Sequence, residues 1–157
     1  MDNSTDAEGP SSPLRILKFQ SNLLEDICII ESSSFSHPFS RHYITELSKL
    51  YPETFLVAEE DSKVLGYVVA QRDQDRAHVL SIAVREDYRR RHVGSKLMRA
   101  LFKTLRMNGI GSIILEVRES NSAAKGLYQK LGFQPVGGLS RYYEDGEDGV
   151  SYSLKLR

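Results

Sequence analysis

Between Asp87 and Met98 the chain reads Asp-Tyr-Arg-Arg-Arg-His-Val-Gly-Ser-Lys-Leu-Met. Arg89, Arg90 and Arg91, followed by Gly94, stand between an apolar strand pattern (Val79, Leu80, Ile82, Val84) and an amphipathic helix pattern. A strand, a cationic turn and a helix N-terminus together form a place for phosphates. The first-turn N–H groups lack intrahelical acceptors, and the helix dipole favours an anion there. This is not a Walker loop, because the four-residue spacer and the Gly-Lys-Ser/Thr ending are missing. A solvated basic turn is the plainer reading of three arginines, but their placement between strand and helix points to a phosphate-bearing cofactor. Further along, Ser112–Arg118 alternates. Ile113, Leu115 and Val117 share one face, and Ile114, Glu116 and Arg118 share the other, so a carboxylate stands among apolar residues near a strand end.

The composition narrows the classes. With 157 residues, 40% of them hydrophobic and 27% charged, the chain suits one soluble domain with a full core. Lys and Arg number 21 and Asp and Glu also 21, so the basic excess usual in nucleic-acid binders is missing and no direct nucleic-acid partner is expected. A single cysteine, Cys28, leaves no internal disulfide and no cysteine-rich zinc site. It lies in the run Ile27-Cys28-Ile29-Ile30, where a small buried hydrophobe is expected. The four histidines show no metal-ligand spacing, so no metal is expected. No apolar segment approaches the ~20 residues of a membrane span. Residues 1–13 are Ser-, Pro- and acid-rich without a signal-peptide pattern and are expected to be a disordered tail on a cytoplasmic protein.

The elements that must position these residues follow from periodicity. Strands are expected at Leu14–Phe19, Phe55–Glu59, Lys63–Gln71, Ala77–Val84, Ser112–Arg118, Phe133–Leu139 and Val150–Leu156. Helical stripes run over Ser21–Ser34, from an N-cap at Ser40 toward Pro52, over Val93–Met107, and from Asn121 or Ser122 to about Leu131. Asn108-Gly109 and Gly132 supply C-terminal stops. The order β α α β β β α β α β β predicts an α/β (α+β) domain with a mixed central sheet. Its strands at 77–84 and 112–118, joined by one helix, should be parallel neighbours. Ligands bind beyond the C-terminal ends of such strands, where Arg89–Gly94 and Glu116–Asn121 both fall.

This order, the arginine loop, and Leu115-Glu116-Val117-Arg118-Glu119-Ser120-Asn121-Ser122-Ala123-Ala124 followed by Leu127-Tyr128-Gln129-Lys130-Leu131-Gly132-Phe133 resemble the GNAT acetyltransferase superfamily. Within it the chain is similar to the protein N-terminal acetyltransferases, namely the ribosomal-protein alanine and archaeal N-terminal enzymes. The resemblance covers Leu14 to the C-terminus and implies a single GNAT domain over 14–157. It implies acetyl-CoA as co-substrate, with pantetheine along Ile82, Ala83 and Val84 and pyrophosphate on the loop Arg89, Arg90, Arg91, His92, Val93, Gly94 and Ser95. Asn121 would bond the pantetheine, and Tyr128 would protonate the departing thiolate. Glu116 is implied as general base, acting through a water, with His78 as its assistant. One departure is that His92 stands where the family loop has its first glycine. The imidazole there would alter acetyl-CoA affinity.

The implied acceptor is a protein or peptide N-terminus, with ribosome association left open. Phe35, His37 and Phe39 fall where the family's peptide-binding loop lies, and Tyr142 and Tyr143 face them from a hairpin. The plainer readings stay beside these. Glu116 could be a structural carboxylate paired with an arginine such as Arg118, and Tyr128, Phe35 and Phe39 could be core aromatics. The acidic run Glu144–Asp148 reads as a solvated turn. A GNAT enzyme acting on lysine or a small amine, and a CoA-binding module without turnover, are the alternative functions.

Overall fold

The computed structural model describes residues 12–156. Strands β1 (Arg15–Lys18), β2 (Phe55–Glu60), β3 (Lys63–Asp73), β4 (Arg76–Val84), β5 (Ser112–Arg118), β6 (Gln134–Leu139) and β7 (Gly149–Lys155) alternate with four helices. These are α1 (Leu24–Ser34), α2 (Arg41–Leu50), α3 (Val93–Met107) and α4 (Ser122–Lys130). The seven strands form one sheet in the order β1-β2-β3-β4-β5-β7-β6, antiparallel except for β4 beside β5. This is a mixed α/β domain with the expected element order. Of the expected tail, residues 1–11 lie outside the described residues, whereas the Ser12 N–H donates to Asp61 at 2.7 Å.

Local signals set most boundaries. Ser40 caps α2 by accepting from the Tyr43 N–H at 3.0 Å. Gly109 (φ 73°) and Gly132 (φ 97°) take the left-handed conformation that ends α3 and α4. Asp61 and Ser62 both adopt positive φ in the two-residue turn between β2 and β3, which matches the twist of the strands it joins. The expected first helix opens instead as a 3₁₀ turn, Ser21–Leu23, before α1 begins. The β3–β4 hairpin is tighter than the polar run Asp73–Arg76 suggests. Asp73 pairs with Arg76, because backbone bonds tolerate polar side chains at a solvent-facing end.

Two apolar layers hold the sheet. Leu97, Met98, Leu101 and Leu105 of α3 pack on Leu65, Val68, Val79, Ile113 and Leu115. On the opposite face Ile27 and Ile30 of α1 and Ile44 and Leu47 of α2 cover Phe55, Val57, Tyr67 and Val69. Cys28 is only half-buried, and burial raises its thiol above the usual range. No helix among the described residues is long and apolar enough to cross a membrane.

Two local features distinguish the β3–β4 pair. Val69 pairs with Ser81 but Ala70 with Val79, so Leu80 is an extra residue, a bulge that re-aims the side chains beyond it. Nearby, β3 approaches β4 closely at Gly66, where an added Cβ would stand 2.6 Å from the Ala83 carbonyl oxygen and 3.2 Å from Val84 Cα. Backbone cannot yield as a side chain can. Gly66→Ala should therefore cost about 2 kcal/mol, lowering Tm by about 6 °C in thermal denaturation. An unchanged Tm would show that the strand pair has room there.

Candidate active site

The parallel ladder between β4 and β5 consists of Arg76↔Ser112, Ala77↔Ile113 and His78↔Ile114. Beyond His78 the strands diverge, because β4 stays paired with β3 up to Val84 while β5 follows β7 up to Arg118. The stretch Ile82-Ala83-Val84 thus faces a gap on its β5 side. At the head of the gap α3 is wedged in. A Cβ added to Gly94 would lie 3.3 Å from Leu127 of α4 and 4.0 Å from Val84.

The loop entering α3 has two residues in the left-handed region, Arg90 (φ 70°) and His92 (φ 61°, ψ 20°). His92 therefore takes the backbone conformation a glycine would supply, and its side chain makes no capping bond. The first helical bond of α3 runs from the Lys96 N–H to the His92 carbonyl, so the N–H groups of Val93, Gly94 and Ser95 precede any intrahelical acceptor. The three arginines do not act alike. Arg89 Nε donates to the Val84 carbonyl at 3.2 Å, Arg91 pairs with Glu60 at 3.1 Å and lies over the Tyr88 ring, and Arg90 is exposed. Holding an imidazole residue in the left-handed region costs about 1 kcal/mol. His92→Gly should recover this and raise Tm by about 2–4 °C; a lower Tm would mean that the ring makes contacts worth more than the strain.

On the face opposite α3, His78 Nε2 and Glu116 Oε2 lie 2.7 Å apart, with 32% and 18% of their side chains exposed. The last ladder pair sets His78 beside Ile114, which brings Glu116, two residues on, to the same face. With Glu116 as a carboxylate the shared hydrogen rides on Nε2. Glu116 thus has a histidine partner rather than purely apolar neighbours, and Arg118 is not its partner. The Arg118 guanidinium donates to Asp145 at 2.8 Å and Glu147 at 3.0 Å and lies 4.2 Å over the Tyr143 ring.

The run Glu144–Asp148 is exposed apart from the half-buried Glu147, as a solvated turn should be, yet its carboxylates are paired. Asp145 is held below the usual carboxylate range first by the Glu147 N–H and then by Arg118, and Glu147 by Ser120 and Arg118. Asp148 accepts from the Arg141 N–H at 2.8 Å, and Glu144 pairs with His37 at 3.2 Å. Each of these carboxylates has a partner, a pattern composition does not disclose. The hairpin so fixed carries Tyr142 and Tyr143, ring edge to ring face at 5.0 Å. Burial pushes the Tyr143 phenol up to about 12, aided by Tyr142 and by the charge of Glu116. Tyr142 is raised by burial and by Glu116 as well, so both phenols sense that carboxylate.

The α1–α2 loop faces the hairpin through His37. Phe35 is 40% exposed, whereas Phe39 is half-buried with its ring edge-on to Tyr43 at 4.8 Å. Core packing thus describes Phe39 but not Phe35. Asn121 Oδ1 caps α4 by accepting from the Ala124 N–H at 3.1 Å, and Tyr128 is buried with its ring against Phe133. Among the described residues no group of His, Cys, Asp and Glu is placed to hold a metal ion.

A family model described as the acetyltransferase (GNAT) family matches residues 24–133. The chain belongs to this family. An N-alpha-acetyltransferase of Sulfurisphaera tokodaii is 36% identical to this GNAT enzyme over 146 residues, covering 85% of the chain and 87% of the relative. Ard1 from Thermoplasma volcanium superposes with a TM-score of 0.88 at 30% identity, over 92% of this chain and 98% of that one. The ribosomal-protein-S18-alanine N-acetyltransferase of Escherichia coli superposes with a TM-score of 0.84 at 28% identity, over 92% and 94%. As a GNAT acetyltransferase the chain is an acetyl-CoA-dependent acyltransferase, and the β4–β5 gap with the α3 N-terminus at its head fits an elongated, phosphate-bearing donor.

The sequence-predicted residues fall into two groups in the GNAT domain. Ile82–Val84, Arg89–Ser95, Asn121 and Tyr128 belong to elements that converge on the gap, and His78, Glu116, Tyr142 and Tyr143 gather on the opposite face, with His37 tied to their hairpin. Glu31, buried beside Tyr67 and Ser81, was not among them. Its signal is a carboxylate four residues after Ile27, on the buried stripe of α1.

Proposed function

We propose that this acetyltransferase acts on the α-amine of protein or peptide N-termini. The observation that carries the reading is the His78–Glu116 pair at 2.7 Å, set beside Tyr142 and Tyr143 and opposite the His37 loop. An α-amine has a pKa near ~8 against ~10.4 for lysine, so a carboxylate base suffices to neutralise it at physiological pH. The named activities of the Sulfurisphaera tokodaii and Escherichia coli relatives agree with this acceptor.

Acetyl-CoA, when bound, supplies the activated acetyl thioester. The backbone of Ile82, Ala83 and Val84 would hold its pantetheine and the N–H groups of His92–Ser95 its pyrophosphate, with Arg89 and Arg90 adding positive charge. The Asn121 Oδ1 is engaged in the cap, which leaves the Nδ2 amide as the donor toward pantetheine. Glu116 Oε takes the proton from the amine through a water, and His78 Nε2 holds the carboxylate in place. The Tyr128 hydroxyl keeps a proton for the sulfur that departs, because burial raises its pKa above the usual phenol range. Tyr142 and Tyr143 offer hydroxyls to the acceptor backbone, and Phe35 and His37 line its approach.

Incubating the protein with acetyl-CoA and a mixed peptide library, then locating label by mass spectrometry, tests the reading. Acetyl groups on α-amines are the expected result. Label chiefly on lysine side chains, or none on any peptide, would overturn it.

A further inference from the structure

Glu31 lies in α1 with only 2% of its surface exposed. Its two oxygens point to different parts of the molecule. Oε1 accepts from the Phe39 backbone N–H at 3.0 Å, in the loop between α1 and α2. Oε2 accepts from the Ser81 hydroxyl of β4 at 3.1 Å and from the Tyr67 hydroxyl of β3, and those two hydroxyls lie 3.1 Å apart. All three partners are neutral. Burial raises the pKa of this carboxylate, and the Phe39 and Ser81 bonds oppose that shift. A leucine would spare the desolvation of a carboxylate but leave the Phe39 N–H and the Ser81 and Tyr67 hydroxyls without this acceptor; only an apolar replacement of the whole cluster would be neutral, so a reason for keeping all of it polar is still needed.

Its placement gives one. Ser81 follows the Leu80 bulge and immediately precedes Ile82-Ala83-Val84, and Phe39 follows His37 and Pro38 in the loop that reaches the hairpin through Glu144. We infer that Glu31 is a positioning residue that ties the acceptor-side loop, through the Phe39 N–H, to the donor-side strand, through Ser81 and Tyr67. The inference rests on the proposed reading of residues 35–39 as the acceptor loop. One rigid carboxylate then fixes the spacing between the two substrates' walls. The loop is held before the peptide arrives, so the peptide does not bear the cost of ordering it.

The test compares Glu31→Leu, Glu31→Gln and Tyr67→Phe with the parent, by steady-state kinetics on a free-amine peptide that the parent acetylates and by acetyl-CoA calorimetry. Amide hydrogen exchange at Phe39 is read in parallel and needs no substrate. Glu31→Leu should raise peptide KM about tenfold and speed Phe39 exchange at least tenfold, with kcat and acetyl-CoA Kd within about twofold. Glu31→Gln should restore peptide KM to within about threefold of the parent. Its carbonyl can face Phe39 while its NH₂ donates to the two hydroxyls, which accept as readily as they donate. Tyr67→Phe, which keeps the ring, should raise peptide KM about threefold, and it decides the matter if the leucine variant does not fold. Parent-like peptide KM in the folded variants overturns the inference, as does a loss shared equally with acetyl-CoA affinity. Faster Phe39 exchange without a change in KM also overturns it. A parent that acetylates no peptide overturns the proposed function instead, whatever the exchange shows.

Discussion

Glu116→Gln should lower kcat about 10²-fold while leaving acetyl-CoA affinity within about twofold. The substitution preserves size, and the glutamine carbonyl can still accept from His78 Nε2, so the pair seen at 2.7 Å keeps its geometry. What is lost is the ability to take a proton. The site of loss is local, because Glu116 lies on the face away from α3 and its neighbours Leu115 and Val117 point into the core. Kinetics with an N-terminal peptide, alongside acetyl-CoA calorimetry, check both halves. A parent-like kcat would remove Glu116 from the proton path and leave it a structural partner of His78.

Tyr128→Phe is the second large effect, a fall in kcat of about 10-fold to 10²-fold. The ring stands edge-on to Phe133 at 5.5 Å and 6.5 Å from Tyr152, and phenylalanine preserves both contacts, so Tm should hold. Burial, and secondarily Tyr143, raise the phenol above its ordinary value of 10.0. A raised folded-state pKa favours the neutral phenol, so its contribution to stability is complete below pH ~10 and is lost only as pH rises above that value. Throughout a usual assay range the hydroxyl therefore retains its proton, and any alkaline limb below pH ~10 belongs to another group. Single-turnover measurements on the phenylalanine variant separate this step from product release. Parent-like single-turnover rates would make Tyr128 a packing aromatic and nothing more.

How much of the molecule was legible in the sequence varies with the range of the interaction. The bounds of α3 and β5 agree residue for residue with periodicity, because Leu97, Leu101 and Leu105 repeat on one helical face and Ile113, Leu115 and Val117 on one strand face. Ser40, Asn121, Gly109 and Gly132 act within a few residues of themselves and were equally readable. The loop before α3 was readable as a cationic turn leading into a helix, but Arg91 turning to Glu60 was not, since Glu60 is 31 residues away. His78 meeting Glu116 depends on where the parallel ladder stops, and the ladder stops because each strand follows a different antiparallel neighbour. The Leu80 bulge and the buried Glu31 cluster depend likewise on partners far along the chain. The exposure of the acidic hairpin was readable and its pairing was not, because composition records charge and not partners.

The short parallel ladder also has a mechanical meaning. β4 is joined to β3 by eight residue pairs and β5 to β7 by seven, but β4 and β5 share three. The sheet is thus two stiff plates stitched along a short seam, β1 to β4 on one side and β5 to β7 on the other. A load applied across the strands would part the protein at that seam before it strained either plate. A donor lying in the gap would splint it, and the fold's weakest line would then be the one its ligand reinforces.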